Sequence, residues 1–321
     1  MASIFDNMQL DAQTALGFLE PQFYNLETTV YETKYPEFDY ASIVPVVTEG
    51  NPWAAGTLFY TSDSTGSAQW MNGGAFDMPY ADVQRTQLTA PFYMAAIGYE
   101  WNLEEVNRAR MTGIDIGADK ARGARRVAEQ FLWQLATTGN TEKNMTGLFN
   151  DANVTAADVA ANGSGSSTFW YDKTPTQILK DINDGISGVY TGTNETEMAN
   201  TVILPTAIRD YLASTQLSSG SGETILSYLL KNNSYTAETG QPLMVRANRA
   251  LATADPGGDG RAVVYRRAPD VVRFHLPMPH QFLPPFQKAS MVWEVGGVFR
   301  TGGTEVRLPK AIRYLDGILD S

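Results

Sequence analysis

Few residues in this sequence are of types that could do chemistry. The two histidines, His275 and His280, lie in a proline-rich segment with no nucleophile motif nearby. Acyl-transfer triads need a base histidine beside an activated nucleophile. We therefore predict a structural role for both histidines.

Metal, phosphate and carboxylate chemistry are equally poorly supported. The chain has no cysteine, which excludes thiolate metal sites and disulfides, and the pattern G-x-x-x-x-G-K-[ST] does not occur. Paired acids such as Asp181 and Asp184 lie on a predicted helix, where capping and solvation explain them. The sequence predicts a protein that is not an enzyme, with no catalytic residue, metal ligand or cofactor.

Composition narrows the class further. The 321 residues are 43% hydrophobic, which is typical of a globular protein. The net charge of −11 argues against sequence-independent nucleic-acid binding, which needs basic patches. The start, MASIFDNMQL, does not have the pattern of a secretory signal, and no apolar run is long enough to span a membrane.

The elements that organise the chain begin with residues 102–138, which carry its strongest helical pattern. Asn102 and Glu105 form a predicted capping box, and Gly139 follows the last periodic residue. A continuous helix here is about 55 Å long, and we call it the spine helix. Glycines near residues 112–117 predict a bend or a break. The apolar residues of its stripe are Leu103, Val106, Met111, Ile114, Ala118, Ala121, Ala128, Phe131, Leu132 and Leu135.

The other faces of the spine helix carry arginines, including Arg122 and Arg125. Two interpretations stay open for them: a solvated face over a thin core, or contacts with neighbouring subunits.

Two further segments carry aromatic side chains that they cannot bury by themselves. Residues 1–48 are rich in aromatic residues but poorly periodic, which predicts an arm lying on another surface. Residues 50–90 contain two strand-like runs separated by turn clusters at 63–67 and 72–74, which predicts a long two-stranded ribbon. Such a ribbon is marginal alone in water. These features are typical of an assembly protein.

The rest of the chain predicts an α+β block and an extended tail. Residues 172–275 combine helices with short strands, while 151–168 read as a loop. Residues 289–308 predict strands around a Gly302-Gly303 turn, paired with strands beside the spine helix.

The order of these pieces resembles the Hong Kong 97-like major capsid proteins of tailed phages, a fold shared with encapsulins. Local phrases carry the resemblance: GLFN after the spine helix, then PTQILKDIN, VILPTAIRDY, TILSYLLKN and GVFRTGGTEVRLP. It implies an α+β fold divided into an N-terminal arm (1–48), an E-loop ribbon (49–91), a P-domain with the spine helix (92–171), an A-domain (172–275) and C-terminal P-domain strands (276–321).

The resemblance also implies function and partners. The chain is expected to form pentamers and hexamers of an icosahedral virion capsid around double-stranded DNA, without sequence-specific contacts, assembled in the host cytoplasm. Its expected partners are a portal and, where used, separate scaffolding and cement proteins, but no membrane. The alternatives are an encapsulin-type shell around a protein cargo and, with less support, a secreted binding or adhesin module.

The candidate subunit-interface residues come from the arm, ribbon, spine helix and a Ser/Gly loop at 214–222. They are Phe5, Phe23, Tyr24, Tyr31, Tyr35, Trp53, Phe59, Trp70, Phe76, Arg85, Arg122, Arg125, Ser218 and Ser219. Some relatives cross-link an E-loop lysine to a neighbour, but residues 50–90 contain no lysine. A shell held by noncovalent burial is therefore expected.

Overall fold

The computed structural model describes residues 38–70, 80–112, 116–163, 165–218, 220 and 222–320. The helices in this part of the chain are α1 (Leu103–Thr112), α2 (Ile116–Thr137), α3 (Pro175–Gly192), α4 (Thr206–Ser214), α5 (Ile225–Lys231) and α6 (Ser234–Thr239). Its strands are β1 (Val46–Val47), β2 (Gly56–Thr65), β3 (Asp82–Pro91), β4 (Tyr93–Ala96), β5 (Tyr99–Asn102), β6 (Gly139–Asn140), β7 (Met145–Thr146), β8 (Thr155–Asp158), β9 (Thr201–Leu204), β10 (Met244–Ala247), β11 (Arg261–Tyr265), β12 (Val272–His275), β13 (Met278–Phe282), β14 (Phe286–Ala289), β15 (Val292–Val295), β16 (Gly297–Thr301), β17 (Gly303–Val306) and β18 (Ile312–Asp316).

The main sheet has the strand order β10-β9-β11-β18-β8 and holds much of the core. Its central strands are buried on both faces, as the continuous apolar runs at 201–204 and 262–265 require. Helix α3 packs on β11 and β18, where Gly185 lets the side chains of Val264 and Leu315 approach. Gln177 accepts from the backbone N–H of Thr174 at 2.9 Å, which caps the start of α3.

One strand of this sheet overturns a sequence prediction. Residues 155–158, predicted as loop, form β8 and pair in parallel with β18. Their sequence, TAAD, has no alternating pattern, so only the neighbouring strand fixes their conformation.

Strands beside the spine helix confirm the predicted pairing of the tail. β15 pairs with β5 and β16 with β4, both antiparallel. The strands predicted around the Gly302-Gly303 turn do not pair with each other as a hairpin, because β16 belongs to the sheet β13-β16-β4 and β17 to the sheet β1-β12-β17. The chain changes sheets at Gly302 and Gly303, and Gly303 has the positive φ of 71° that such a turn favours in glycine. An added Cβ at Gly302 would meet the Phe92 ring at 2.7 Å.

The predicted spine helix corresponds to α1 and α2 of the structure. Residues 113–115, at the predicted bend, lie outside the described residues. The predicted capping box is confirmed, because Glu105 N–H donates to Asn102 Oδ1 at 2.7 Å. Burial is concentrated at the C-terminal end of α2, at Leu132, Leu135 and Ala136. The first part of the apolar stripe is less covered, since Leu103 and Met111 are exposed.

The turn after the spine helix is fixed by buried polar groups. Arg261 donates to both Asp316 carboxylate oxygens at 2.6 and 2.7 Å and to the Phe149 carbonyl at 2.7 Å. The Tyr314 hydroxyl donates to the Leu148 carbonyl at 2.7 Å. These bonds join the predicted GLFN turn to β11 and β18, where burial raises the Tyr314 pKa above its ordinary value.

Residues 38–321 form one compact unit. The main sheet takes β8, β9 to β11, and β18 from three of the predicted domain segments. The division of the chain into P- and A-domains stays a prediction.

Candidate functional site

The two histidines pack against neighbouring side chains of the same subunit. His275 is 3% exposed, contacts Glu305 through its ring and lies 5.6 Å from the Phe92 ring. His280 packs edge-on against Phe282 at 4.7 Å. The described residues contain no group of three or more His, Cys, Asp or Glu side chains that could hold a metal ion.

The prediction that solvation explains Asp181 is wrong. Asp181 lies on the core side of α3, between the buried Ile178 and Ile182, and pairs with the buried Lys173 at 2.5 Å. Burial raises the pKa of Asp181 above its ordinary value, and Lys173 opposes that rise. Asp184, in contrast, is exposed and pairs with Lys180.

Strands β2 and β3 form the predicted ribbon, with ten residue pairs from Gly56–Pro91 to Thr65–Asp82. Residues 63–65, predicted as a turn, belong to β2, because cross-strand pairing to 82–84 overrides their turn composition. Side chains alternate between the two faces of a strand, and directly paired residues share a face.

One face of the ribbon is exposed and partly apolar. Leu58, Tyr60 and Val83 lie on this face, and Tyr60 is 64% exposed. The predicted interface residue Arg85 shares the face, since it pairs with Ser62. We call these four side chains the outer face of the ribbon.

Phe59 lies on the opposite face of the ribbon and contacts its own subunit. The Arg307 guanidinium lies 4.5 Å from the centre of the Phe59 ring. Trp53, just before β2, is exposed and lies 5.9 Å from the Arg300 guanidinium. Trp70, beyond the paired residues, is fully exposed.

The spine helix presents a second uncovered surface. Arg122 and Arg125 are both exposed, and Arg122 pairs with Asp119 one turn earlier. Met111 is 87% exposed and Leu103 is also exposed, although both belong to the predicted apolar stripe. The described part of a single subunit leaves these side chains open to solvent.

The remaining candidates divide between a described loop and positions outside the described residues. Ser218 is exposed in the segment after α4, where Gln216 bridges to Thr224 before α5. The others, namely Phe5, Phe23, Tyr24, Tyr31, Tyr35, Phe76 and Ser219, lie outside the described residues.

The comparison with protein families identifies the family of the chain that carries these surfaces. A family described as "Major capsid protein" matches residues 66–318, most of the chain. The chain belongs to the major capsid protein family. Its members are structural proteins rather than enzymes, and this capsid protein forms a phage shell from many copies of itself.

Solved structures agree on the fold of this major capsid protein. The capsid of Myoviridae phage XM1 matches with a TM-score of 0.77 and 16% identity, covering 93% of this chain and 98% of that one. The Microbacterium phage Oxtober96 protein matches with a TM-score of 0.63 and 13% identity, covering 95% and 99%. An empty GTA particle capsid matches with a TM-score of 0.58 and 12% identity, covering 94% and 97%. The fold is therefore the predicted Hong Kong 97-like one.

No curated protein sequence matches the chain. No described helix has both the length and the apolar character needed to cross a membrane.

Sequence reasoning missed several residues of the capsid protein's uncovered surfaces. Leu58, Tyr60 and Val83 were not among its candidates, although the spacing of two between Leu58 and Tyr60 could have indicated one strand face. Arg300 and Arg307 were also missed, because nothing in the sequence shows that they contact the ribbon.

Proposed function

We propose that this major capsid protein builds the pentamers and hexamers of an icosahedral shell around the double-stranded DNA of a tailed phage. We also propose that the outer face of its ribbon lies over a neighbouring subunit. The observation that carries the second proposal is the uncovered face made by Leu58, Tyr60, Val83 and Arg85.

The physical reason is that a two-stranded ribbon is marginal in water without a surface to cover. Fully burying a side chain such as Leu58 contributes about 1.5–3 kcal/mol. A shell repeats each contact at every subunit, so modest contacts add up over the assembly. Trp53, Trp70 and the aromatic arm within residues 1–48 are proposed to add to the same subunit contacts.

The same reasoning extends to the other proposed contacts. Arg122 and Arg125 on the spine helix are proposed to meet a neighbouring subunit, because they lie on faces that the core leaves uncovered. The loop with Ser218 and Ser219 is proposed to lie near a five- or six-fold axis, by analogy with the A-domain loops of the family.

The net charge of −11 supports a shell lining that does not hold DNA tightly, since phosphate contacts need cationic side chains. Packaged DNA is therefore proposed to make no sequence-specific contact. Assembly in the host cytoplasm, a portal and separate scaffolding or cement proteins complete the proposal.

The test is to weaken the outer face of the ribbon. Leu58→Ser with Tyr60→Ser should leave a folded subunit that no longer forms closed shells, as seen by negative-stain microscopy and sedimentation. The control is Gln87→Ser, which changes a polar residue paired with Tyr60 on the same face. Wild-type yields of shells from the double variant would refute the proposed contact.

The encapsulin alternative predicts a different content. Purified native particles should contain DNA if the chain forms a phage shell, and a protein cargo if it forms an encapsulin. Membership of the major capsid protein family supports the phage shell.

A further inference from the structure

The ribbon is long, and the chain joins it to the rest of the subunit through the segments before β2 and after β3. Ten residue pairs at about 3.4 Å per residue give it a length of roughly 30 Å. A rotation of about 10° at the base therefore moves the far end by about 5 Å, which is more than a packed contact tolerates. Contacts near the start of β2 and the end of β3 must therefore fix the direction of the ribbon if it is to reach a neighbouring subunit reproducibly.

Arg300 on β16 holds the two chain segments that enter and leave the ribbon. Its Nη1 donates to the Pro52 carbonyl at 2.6 Å, before β2. Its Nη2 lies 3.4 Å from the Phe92 carbonyl, after β3. One planar guanidinium with several fixed donors can hold both segments, which a lysine with a single ammonium does less well.

Arg307, just after β17, holds the ribbon further along β2. Its guanidinium covers the Phe59 ring on the face opposite the outer face. Glu305 accepts from Arg307 Nε at 2.9 Å and also contacts the buried ring of His275. Arg307 is therefore held from behind by a nearly buried carboxylate rather than left mobile in solvent.

We propose that Arg300 and Arg307 are positioning residues that fix the direction in which the ribbon leaves the subunit, and that Glu305 holds Arg307 against Phe59. This inference rests on the proposed contact between the ribbon and a neighbouring subunit. The two arginines together are called the ribbon clamp.

One arginine of the clamp, Arg307, is held by a titratable group, Glu305. Burial alone raises the pKa of Glu305, but the hydrogen bonds and charges of His275 and Arg307 together outweigh burial and leave the pKa below its ordinary value. Arg273 on β12 also faces this carboxylate, and the acids Asp270 and Glu49 lie near Arg273. Protonating Glu305 in acid removes the charge that holds Arg307.

The test measures the direction of the ribbon before assembly. Because the chain has no cysteine, Ser64→Cys on β2 and Ser187→Cys on α3 allow two spin labels to be attached without other changes. Both positions are exposed. Pulsed electron–electron double resonance on the full-length, unassembled chain then gives the distribution of distances between the label on the ribbon and the label on α3.

We expect a narrow distribution for the doubly labelled chain and at least a twofold wider one after Arg300→Ala, Arg307→Ala or Glu305→Gln. The distribution should also be wide in Arg307→Lys, because a lysine keeps the charge but has no planar guanidinium to lie over the Phe59 ring. The control is Arg209→Ala, which removes an exposed arginine on α4 that pairs with Asp210. It should leave the distribution unchanged.

Acid gives an independent readout. The distribution should widen as the pH falls below the ordinary range of a carboxylate, while circular dichroism shows that the helices persist. In Glu305→Gln the distribution should be wide at every pH. If Arg300→Ala fails to fold, Arg307→Lys and Glu305→Gln still decide the matter.

Unchanged distributions in these variants would overturn the clamp. The measurement needs no shell, so it separates the clamp from the proposed function. A clamp that behaves as expected, in a chain whose outer-face variants still assemble, would refute the neighbour contact and leave the positioning role intact.

Discussion

The buried pair of Arg261 and Asp316 allows the most quantitative prediction. Both side chains are 6% exposed, and their two hydrogen bonds join the neighbouring antiparallel strands β11 and β18 of the main sheet. The Asp316→Ala substitution removes the carboxylate and leaves the guanidinium buried with the Phe149 carbonyl as its described acceptor. Desolvating a cation without its counterion is costly, and breaking such a pair typically costs about 3–5 kcal/mol.

That loss is large beside the total stability of a domain, which is usually about 5–15 kcal/mol. The Arg261→Met, Asp316→Leu double variant should recover most of it, because an apolar pair leaves no buried charge. Asp184→Ala, which breaks the exposed pair with Lys180, should change stability by no measurable amount.

The assay is urea unfolding of the unassembled chain, followed by tryptophan fluorescence and circular dichroism. Hydrogen exchange adds a local readout: amides of residues 147–151 should exchange faster in Asp316→Ala, because Arg261, which holds the Phe149 carbonyl, loses the carboxylate that positions it. A loss of stability below about 1 kcal/mol, within the range of ordinary surface substitutions and their errors, would refute the reasoning.

Four other predictions concern Glu305, two glycines, the assembled particle and the arm. Because the pKa of Glu305 is lowered in the folded chain, its contribution to stability is present above the unfolded-state pKa and is lost as the pH falls through the folded-state pKa; Glu305→Gln should therefore flatten the acid side of the plot of melting temperature against pH. Gly123→Ala on α2 should stabilise the chain by up to about 1 kcal/mol, because no atom lies within 4 Å of an added Cβ, whereas Gly147→Ala should lower the melting temperature, because its Cβ would collide with the Thr137 carbonyl. Mature particles boiled in denaturing detergent should run as one band near 35.2 kDa, and a ladder of covalent oligomers would contradict noncovalent assembly. A chain lacking residues 1–37, which keeps the packing of Tyr40 on Phe274, should fold but fail to assemble, and a truncated chain that unfolds as a monomer would place the arm in the subunit core.

Much of the fold could be predicted because local patterns and tertiary contacts agree. The capping boxes at Asn102 and Thr174 and the apolar runs of β9 and β11 are all written in adjacent residues. The errors occur where a distant part of the chain decides. β8 takes its conformation from β18, and the chain between β16 and β17 changes sheets instead of making a hairpin.

The candidate surfaces were less predictable from the sequence than the fold. The ribbon followed from its two strand-like runs, but its outer face did not, because pairing register decides which residues share a face. The buried pair of Lys173 and Asp181 was missed for a similar reason, since a charged residue within a helix is usually solvated. The arginines of the ribbon clamp act on residues more than 200 positions earlier in the chain, and no local pattern records that.

The position of β18 in the main sheet has a consequence for how the subunit is made. This strand lies between β11 and β8, so the sheet cannot close until residues 312–316 have left the ribosome. Until then β11 and β8 each lack a partner on one side, and the growing chain can complete its earlier helices but not this sheet. A product truncated before Ile312 exposes two strand edges and cannot form the Arg261 pair with Asp316. Translation therefore restricts the supply of native subunits to chains that extend through β18, which limits how many defective copies a growing shell can incorporate.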